Sequence, residues 1–373
     1  MKAIINGKII MPDSIIENKG LVFDQKIIGL DDEPPAVCEV IDAQGLYVAP
    51  GLIDVHIHGS KGADTMDANL DAIKTISEDL ARTGVTAFLP TTMTMELSHI
   101  YQALANVRYW MGQPLKGAKV LGAHVEGPFI NAAYKGAQAA DHIIPPSYEL
   151  IADYADVIKL ITYAPELDPD HRFAKEMQAK SAATLSIGHS NATLKEMKAA
   201  LAAGCSHITH LFNGMRPLNH REPGVVGAAL THDVFCEVIA DLIHINPELF
   251  QFILDNKGAE KIILVSDCIR AGGLAEGVYD LGGQRVTVKD KTVKLASGSL
   301  AGSVLRLNEA VKNFYHHTDA SLPQVLQMAS LNPARSIGIS HQKGSLNVGK
   351  DADLIFLDAD FNCRLTICEG VII

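Results

Sequence analysis

Pro50-Gly51-Leu52-Ile53-Asp54-Val55-His56-Ile57-His58-Gly59 is an apolar run that closes on two histidines, and its reading decides the fold. Alternation along a strand puts His56 and His58 on one face at the strand's end, where two imidazoles can hold one ion. By itself, His-x-His describes a satisfied structural pair just as well. The rest of the chain supplies the context. Seven further strand-like apolar runs follow, at 85–91, 120–126, 157–163, 184–189, 207–212, 236–240 and 261–267. Helical segments fall between them, for example 68–83 and 193–203, the latter stopped by Gly204. Eight runs alternating with helices predict an α/β fold, a (β/α)8 TIM-like barrel, in which the C-terminal ends of the strands meet around one cavity.

The polar residues at those ends are the candidate site. Glu126 lies in His124-Val125-Glu126-Gly127-Pro128-Phe129, where Gly-Pro ends the strand and leaves the carboxylate at the rim. His189 closes Ser186-Ile187-Gly188-His189, and His210 lies in His207-Ile208-Thr209-His210. One carboxylate and two imidazoles are the ligand set of hydrolytic metal sites that keep an open position. Asp267 ends Ile263-Leu264-Val265-Ser266-Asp267, placed to act as general base and then general acid, although a helix-capping role fits the same position. His207 points to the opposite face and reads as structural, and His124 is a secondary candidate. The fourth run ends Ile161-Thr162-Tyr163-Ala164-Pro165-Glu166 without a lysine to bridge two metals, so Glu126 is the obvious bridge if two bind.

Outside the eight runs, residues 1–50 show short strands broken by Asn6-Gly7, Pro12-Asp13, Asn18-Lys19-Gly20 and Asp31-Asp32. The tail 345–373 has the same texture. The simplest arrangement joins 1–50 and 345–373 as one small β-sandwich domain, with 51–344 as the barrel. Between them, 278–295 reads as a hairpin turning at Gly282-Gly283, and 304–316 and 322–329 as helices. The 373 residues suffice for a barrel of roughly 250 residues plus this smaller unit.

Hydrophobic residues at 47% and charged residues at 20% are ordinary globular usage, which excludes a disordered or membrane class. A net charge of −11 argues against nucleic acid or an anionic membrane as a partner, so an anionic substrate needs a local basic pocket. The first seven residues carry no apolar core of a secretory signal, so the cytoplasm is expected. Cys38, Cys205, Cys236, Cys268, Cys363 and Cys368 are scattered without a C-x-x-C pair and read as reduced thiols. Cys268 adjoins Asp267, but nothing marks a general base for it as a nucleophile.

The motifs together carry a resemblance. The stretch 50–59, 124–129, Gly188-His189-Ser190, His210-Leu211-Phe212-Asn213-Gly214-Met215, Arg221-Glu222-Pro223-Gly224, Ile239-Ala240-Asp241-Leu242-Ile243-His244, Leu264-Val265-Ser266-Asp267 and Leu300-Ala301-Gly302-Ser303 resemble the amidohydrolase superfamily, within it the deacetylases of N-acetylated amino-sugar phosphates. The resemblance covers nearly the whole chain. It implies hydrolysis of N-acetyl-D-glucosamine 6-phosphate to D-glucosamine 6-phosphate and acetate. It also implies a divalent metal, one or two per subunit, zinc foremost with iron, manganese or cobalt accommodated. Glu126, His189 and His210 would hold the principal metal, with His56 and His58 available for a second and Asp267 as the acid/base. Asn213, Gly214, Arg221 and His244 would bind the sugar phosphate, and Ala137, Gln138, Asp241, Leu300, Ala301 and Gly302 would line the sugar. Arg221 would reach the phosphate of a neighbouring subunit, which implies a homodimer.

The chain departs from part of the family in keeping both histidines of His-x-His, and from another part in having Gln138 where those members have histidine. Glutamine can donate a hydrogen bond to the acetamide but cannot carry a proton, so a positioning role is expected. Rival readings are a deacetylase of the galactosamine epimer, a cyclic-amide hydrolase, disfavoured by the missing lysine, and a metal or sugar-phosphate sensor without turnover.

Overall fold

The computed structural model describes residues 1–32, 35–37 and 39–373, so the thiol expected at Cys38 lies outside the described residues. All eight expected runs contain parallel strands. Six form one half-barrel parallel sheet in chain order: Ala123–Glu126, Ile158–Tyr163, Thr184–Ile187, His207–Ile208, Phe235–Val238 and Ile262–Leu264. The first two runs, Leu52–Ile57 and Val85–Pro90, pair in parallel with each other, and Lys119–Val120 pairs with the second. A parallel bridge joins Thr91 to His124. On the other side, the N–H of Asp267 donates to His56 O and that of His58 to Cys268 O, both at 2.9 Å.

Strands covered on both faces need side chains that are apolar throughout, which is why these runs do not alternate. Every residue of Leu52–Ile57 and Val85–Pro90 is buried. Helices close the outer face: Asn69 caps Leu70–Ala81 by accepting from Ala72 N, and Thr193 and Glu196 form a capping box at Leu194–Ala202. Ile73, Ile76 and Leu80 from the first helix and Met197 and Ala200 from the second enter the large core shared with the strands.

Several strands stop earlier than their apolar runs. Backbone φ turns positive at His189 (48°), His210 (31°), Phe212 (76°) and Asp267 (49°), so the chain leaves the extended conformation just where the candidate ligands stand.

Both chain ends build one six-stranded sheet, in the order Ile15–Ile16, Lys8–Ile10, Tyr47–Pro50, Leu354–Leu357, Cys363–Cys368, Val371–Ile372. A four-stranded sheet of Ile27–Asp31, Gly20–Phe23, Lys2–Ile5 and Glu39–Asp42 accompanies it. Ile4, Leu21 and Phe23 of one meet Ile9, Val48, Leu354, Phe356 and Ile367 of the other in a shared apolar cluster.

One expectation is corrected. The segment 278–295 is not a hairpin but a three-stranded sheet, Gly277–Leu281, Gln284–Lys289 and Thr292–Leu295. A second two-residue turn at Asp290 and Lys291, with φ of 49° and 59°, splits the expected second strand without a glycine to announce it. Leu281, Val286, Val288 and Val293 of this sheet pack on Met93, Ile269 and Ala301, beside the ends of the parallel strands. No helix among the described residues is long and apolar enough to cross a membrane.

Candidate metal centre

Glu126 is the last residue of its strand, and Gly127 lets the chain turn away at φ 74° in a space where a Cβ would meet Thr94 Oγ1 at 2.0 Å. The carboxylate is thereby left pointing among the histidines. Its Oε1 lies 3.1 Å from His189 Nε2 and 3.1 Å from His210 Nε2, and those two nitrogens are 3.1 Å apart. Its Oε2 lies 3.3 Å from His58 Nε2, while Oε1 is also 3.5 Å from His56 Nε2. Asp267 Oδ1 faces the same histidines, 3.2 Å from His58 and 3.5 Å from His56. The structure thus brings all six together, all buried.

Three of the rings are aimed by their far nitrogens. His189 Nδ1 donates to the Tyr134 carbonyl at 2.8 Å, His58 Nδ1 faces the Thr91 carbonyl at 3.3 Å and His56 Nδ1 faces Glu237 Oε2 at 2.9 Å. A proton on Nδ1 leaves a lone pair on Nε2, pointed inward.

The donor set fits a divalent cation. Neutral imidazole and carboxylate lone pairs that converge repel unless positive charge sits among them. Ligand atoms about 2.1 Å from a common tetrahedral ion lie about 3.4 Å apart, so the 3.1 Å triad needs to open by only about 0.3 Å. His56 Nε2 and His210 Nδ1 are buried without a hydrogen-bond partner among the described residues. Oε1 of Glu126 meets His189, His210 and, at 3.5 Å, His56, while Oε2 meets His58.

Electrostatics point the same way. Burial opposes charge on His58, yet the Asp267 and Glu126 carboxylates beside it raise its pKa to about 10, and Glu237, Glu126 and Asp267 likewise hold His56 well above its ordinary value. Burial works to raise Glu126 and Asp267, but the histidines around them keep both below the usual carboxylate range. A buried pocket this rich in acid must hold positive charge, as protons or as a divalent ion that replaces them. Burial pushes the Cys268 thiol up to about 12, which removes it as a nucleophile at neutral pH.

The model of the amidohydrolase family matches residues 47–373. The chain belongs to the amidohydrolase family. It is 44% identical over 329 residues, 86% of this chain and 83% of that protein, to the N-acetylglucosamine-6-phosphate deacetylase of Bacillus subtilis (strain 168). An N-acetylgalactosamine-6-phosphate deacetylase from Escherichia coli O157:H7 is 34% identical over 354 residues, 94% of this chain and 93% of that one. Among solved structures, an N-acetylglucosamine-6-phosphate deacetylase from Pasteurella multocida superposes with a TM-score of 0.95 at 31% identity, covering 100% of this chain and 99% of that one.

In this amidohydrolase the cluster of candidate ligands borders a cavity of about 280 Å³. Ala137, Gln138, Asn213, Gly214, His244, Leu300 and Gly302 line it together with His58, Glu126, His189, His210 and Asp267. Ala301 is buried behind the lining, in the cluster under the three-stranded sheet. Asp241 accepts from His244 Nδ1 at 2.7 Å, so it reaches the cavity through that ring. Arg221 is exposed and lies outside this lining. Gln138 is committed at both ends, since Oε1 accepts from Thr94 N and Nε2 donates to Glu126 Oε2, each at 2.7 Å. Its amide therefore braces the Glu126 carboxylate.

His207 is buried, its ring nitrogens meeting Glu237 Oε1 and Ser336 Oγ. His124 donates to or accepts from Thr162 Oγ1 at 2.7 Å, and burial holds its pKa well below the ordinary value. Sequence reasoning missed Glu237. It lies in the buried strand Phe235–Val238, and a lone carboxylate inside such an apolar strand was the available signal.

Proposed function

We propose that the chain hydrolyses N-acetyl-D-glucosamine 6-phosphate to D-glucosamine 6-phosphate and acetate with a divalent metal, zinc foremost. The carrying observation is the convergence of Glu126, His189 and His210 at 3.1 Å with Asp267 facing the same centre. Kinship of 44% with a deacetylase named for that substrate supports the choice of sugar.

Glu126, His189 and His210 would hold the cation, and His56 with His58 would hold a second beside the same carboxylate. When bound, the cation supplies Lewis acidity toward the acetyl carbonyl and toward water. Asp267, ionised at neutral pH, takes the proton of the attacking water and delivers it to the leaving amine. His244, held by Asp241, binds the phosphate with Asn213 and Gly214, and Ala137, Gln138, Leu300 and Gly302 enclose the sugar, with Ala301 packed behind them. These contacts lie away from the acetyl group and fix its orientation, which is worth several kcal/mol of barrier.

The architecture we propose is a closed (β/α)8 barrel over 51–344 with a terminal β-sandwich of 1–50 and 345–373. Hydrogen bonds from the eighth run to the first, and the cluster shared by the two terminal sheets, support it. Exposure of Arg221 outside its own cavity supports a homodimer in which it serves the neighbouring site. The five cysteines among the described residues are unpaired, which fits a reducing cytoplasm.

Elemental analysis of purified protein, coupled to acetate release from N-acetylglucosamine 6-phosphate and its galacto epimer, tests this reading. Metal near one or two equivalents and faster release from the gluco epimer are expected. Metal-loaded protein that releases no acetate from either would overturn it.

A further inference from the structure

Glu237 touches three histidine residues from inside the parallel strands and belongs to none of the cavity-lining set. Its Oε2 lies 2.9 Å from His56 Nδ1 and accepts the backbone N–H of His210 at 3.0 Å. Its Oε1 lies 3.1 Å from His207 Nε2, whose other nitrogen meets Ser336 Oγ. The carboxylate is fully buried, so each of these contacts is made without competition from water. The backbone N–H of His210 can only donate, so Oε2 of Glu237 serves as an acceptor there.

We infer that Glu237 is the positioning residue of the metal centre. As an acceptor it fixes the proton of His56 on Nδ1 and turns Nε2 toward Glu126 and Asp267. As the partner of the His210 N–H it holds the chain at the point where φ becomes 31°, a conformation that costs energy without a restraint. One side chain thereby sets a ligand from the first strand and a ligand from the sixth. His207 and Ser336 in turn hold the carboxylate. The inference rests on the metal reading given above.

The test is zinc affinity, measured by competition with a chelator on refolding-free, purified variants with native circular dichroism. Glu237→Gln keeps an acceptor toward His56 and His210 if its NH2 faces His207, which can switch tautomer because the Ser336 hydroxyl accepts as well as donates. It should hold zinc within about threefold of the wild type. Glu237→Met has similar bulk and no such acceptor, and should weaken zinc about 10- to 100-fold. Folded Glu237→Met with wild-type affinity, or Glu237→Gln as weak as Glu237→Met, overturns the inference. Should Glu237→Met not fold, the wild-type protein decides: nitrogen-15 spectra of labelled histidine should show His56 protonated on Nδ1, and a bare Nδ1 overturns the inference. Wild-type protein that binds no zinc, or binds it equally well after Glu126→Gln, would instead sink the metal reading itself.

Discussion

Replacing Asp267 with asparagine separates cation binding from chemistry. Asp267 Oδ1 contacts His58 at 3.2 Å and His56 at 3.5 Å, whereas the triad contacts of Glu126, His189 and His210 do not involve it. Its backbone N–H bond to His56 O is unaffected by the side chain. Asparagine preserves shape and cannot shuttle a proton. One acid/base group contributes roughly 10²- to 10⁴-fold, and Asp267 is assigned both transfers in a turnover, which places the loss at the upper end. At 1.36 kcal/mol per factor of ten, 10⁴-fold is about 5.4 kcal/mol of barrier. Acetate release measured across substrate concentration, with zinc content determined on the same sample, should show kcat lower by about 10⁴-fold. KM should stay within about threefold and the triad cation should be retained. A kcat within tenfold of the wild type would refute the role of Asp267, and so would a loss of activity that merely tracks a loss of zinc.

Other outcomes follow from the same geometry. His244→Gln removes a charged donor worth roughly 1.5–3 kcal/mol, so KM should rise about 10- to 100-fold with kcat little changed; an unchanged KM would remove His244 from the phosphate site. Gln138→Leu strips the brace from Glu126 Oε2 and leaves the buried Thr94 N–H unpaired, which should cost about 1–3 kcal/mol in urea denaturation. Lys343 is buried between Asp351 and Asp353, each at 2.8 Å, so Lys343→Met leaves acids without their cation and should cost about 3–5 kcal/mol; a loss below 1 kcal/mol would contradict that pairing. In cation-stripped protein, His58 has its pKa raised from 6.5 to about 10, so the stability it contributes is full below pH 6.5 and is lost as pH rises through about 10. Urea midpoints of stripped protein should therefore fall from pH 6.5 to pH 9.5, and zinc should flatten that fall.

The eight parallel strands were legible because burial on both faces demands runs such as Leu52–Ile57 and Val85–Pro90 that no surface element would carry. The convergence of the candidate ligands was legible because they stand at the ends of such runs, which meet around one cavity. The backbone detail was not. Nothing in the residue types of His189, His210 or Asp267 announces a positive φ, since that conformation is imposed by the converging strand ends rather than chosen locally. The turn at Asp290 and Lys291 escaped notice because no glycine announces its positive φ. Glu237 was hidden by the apolar neighbours Cys236 and Val238, although its charge in that setting marked it as paired. The sequence also could not show that Thr94 and Glu126 engage both ends of the Gln138 amide.

The central claim is that Glu126, His189 and His210 share one cation. Crystals of zinc-loaded protein, measured at the zinc absorption edge, should give an anomalous peak about 2.0–2.2 Å from Glu126 Oε1, His189 Nε2 and His210 Nε2 together. A map with no peak among those three atoms, or with its peak bound elsewhere on the chain, would contradict the account.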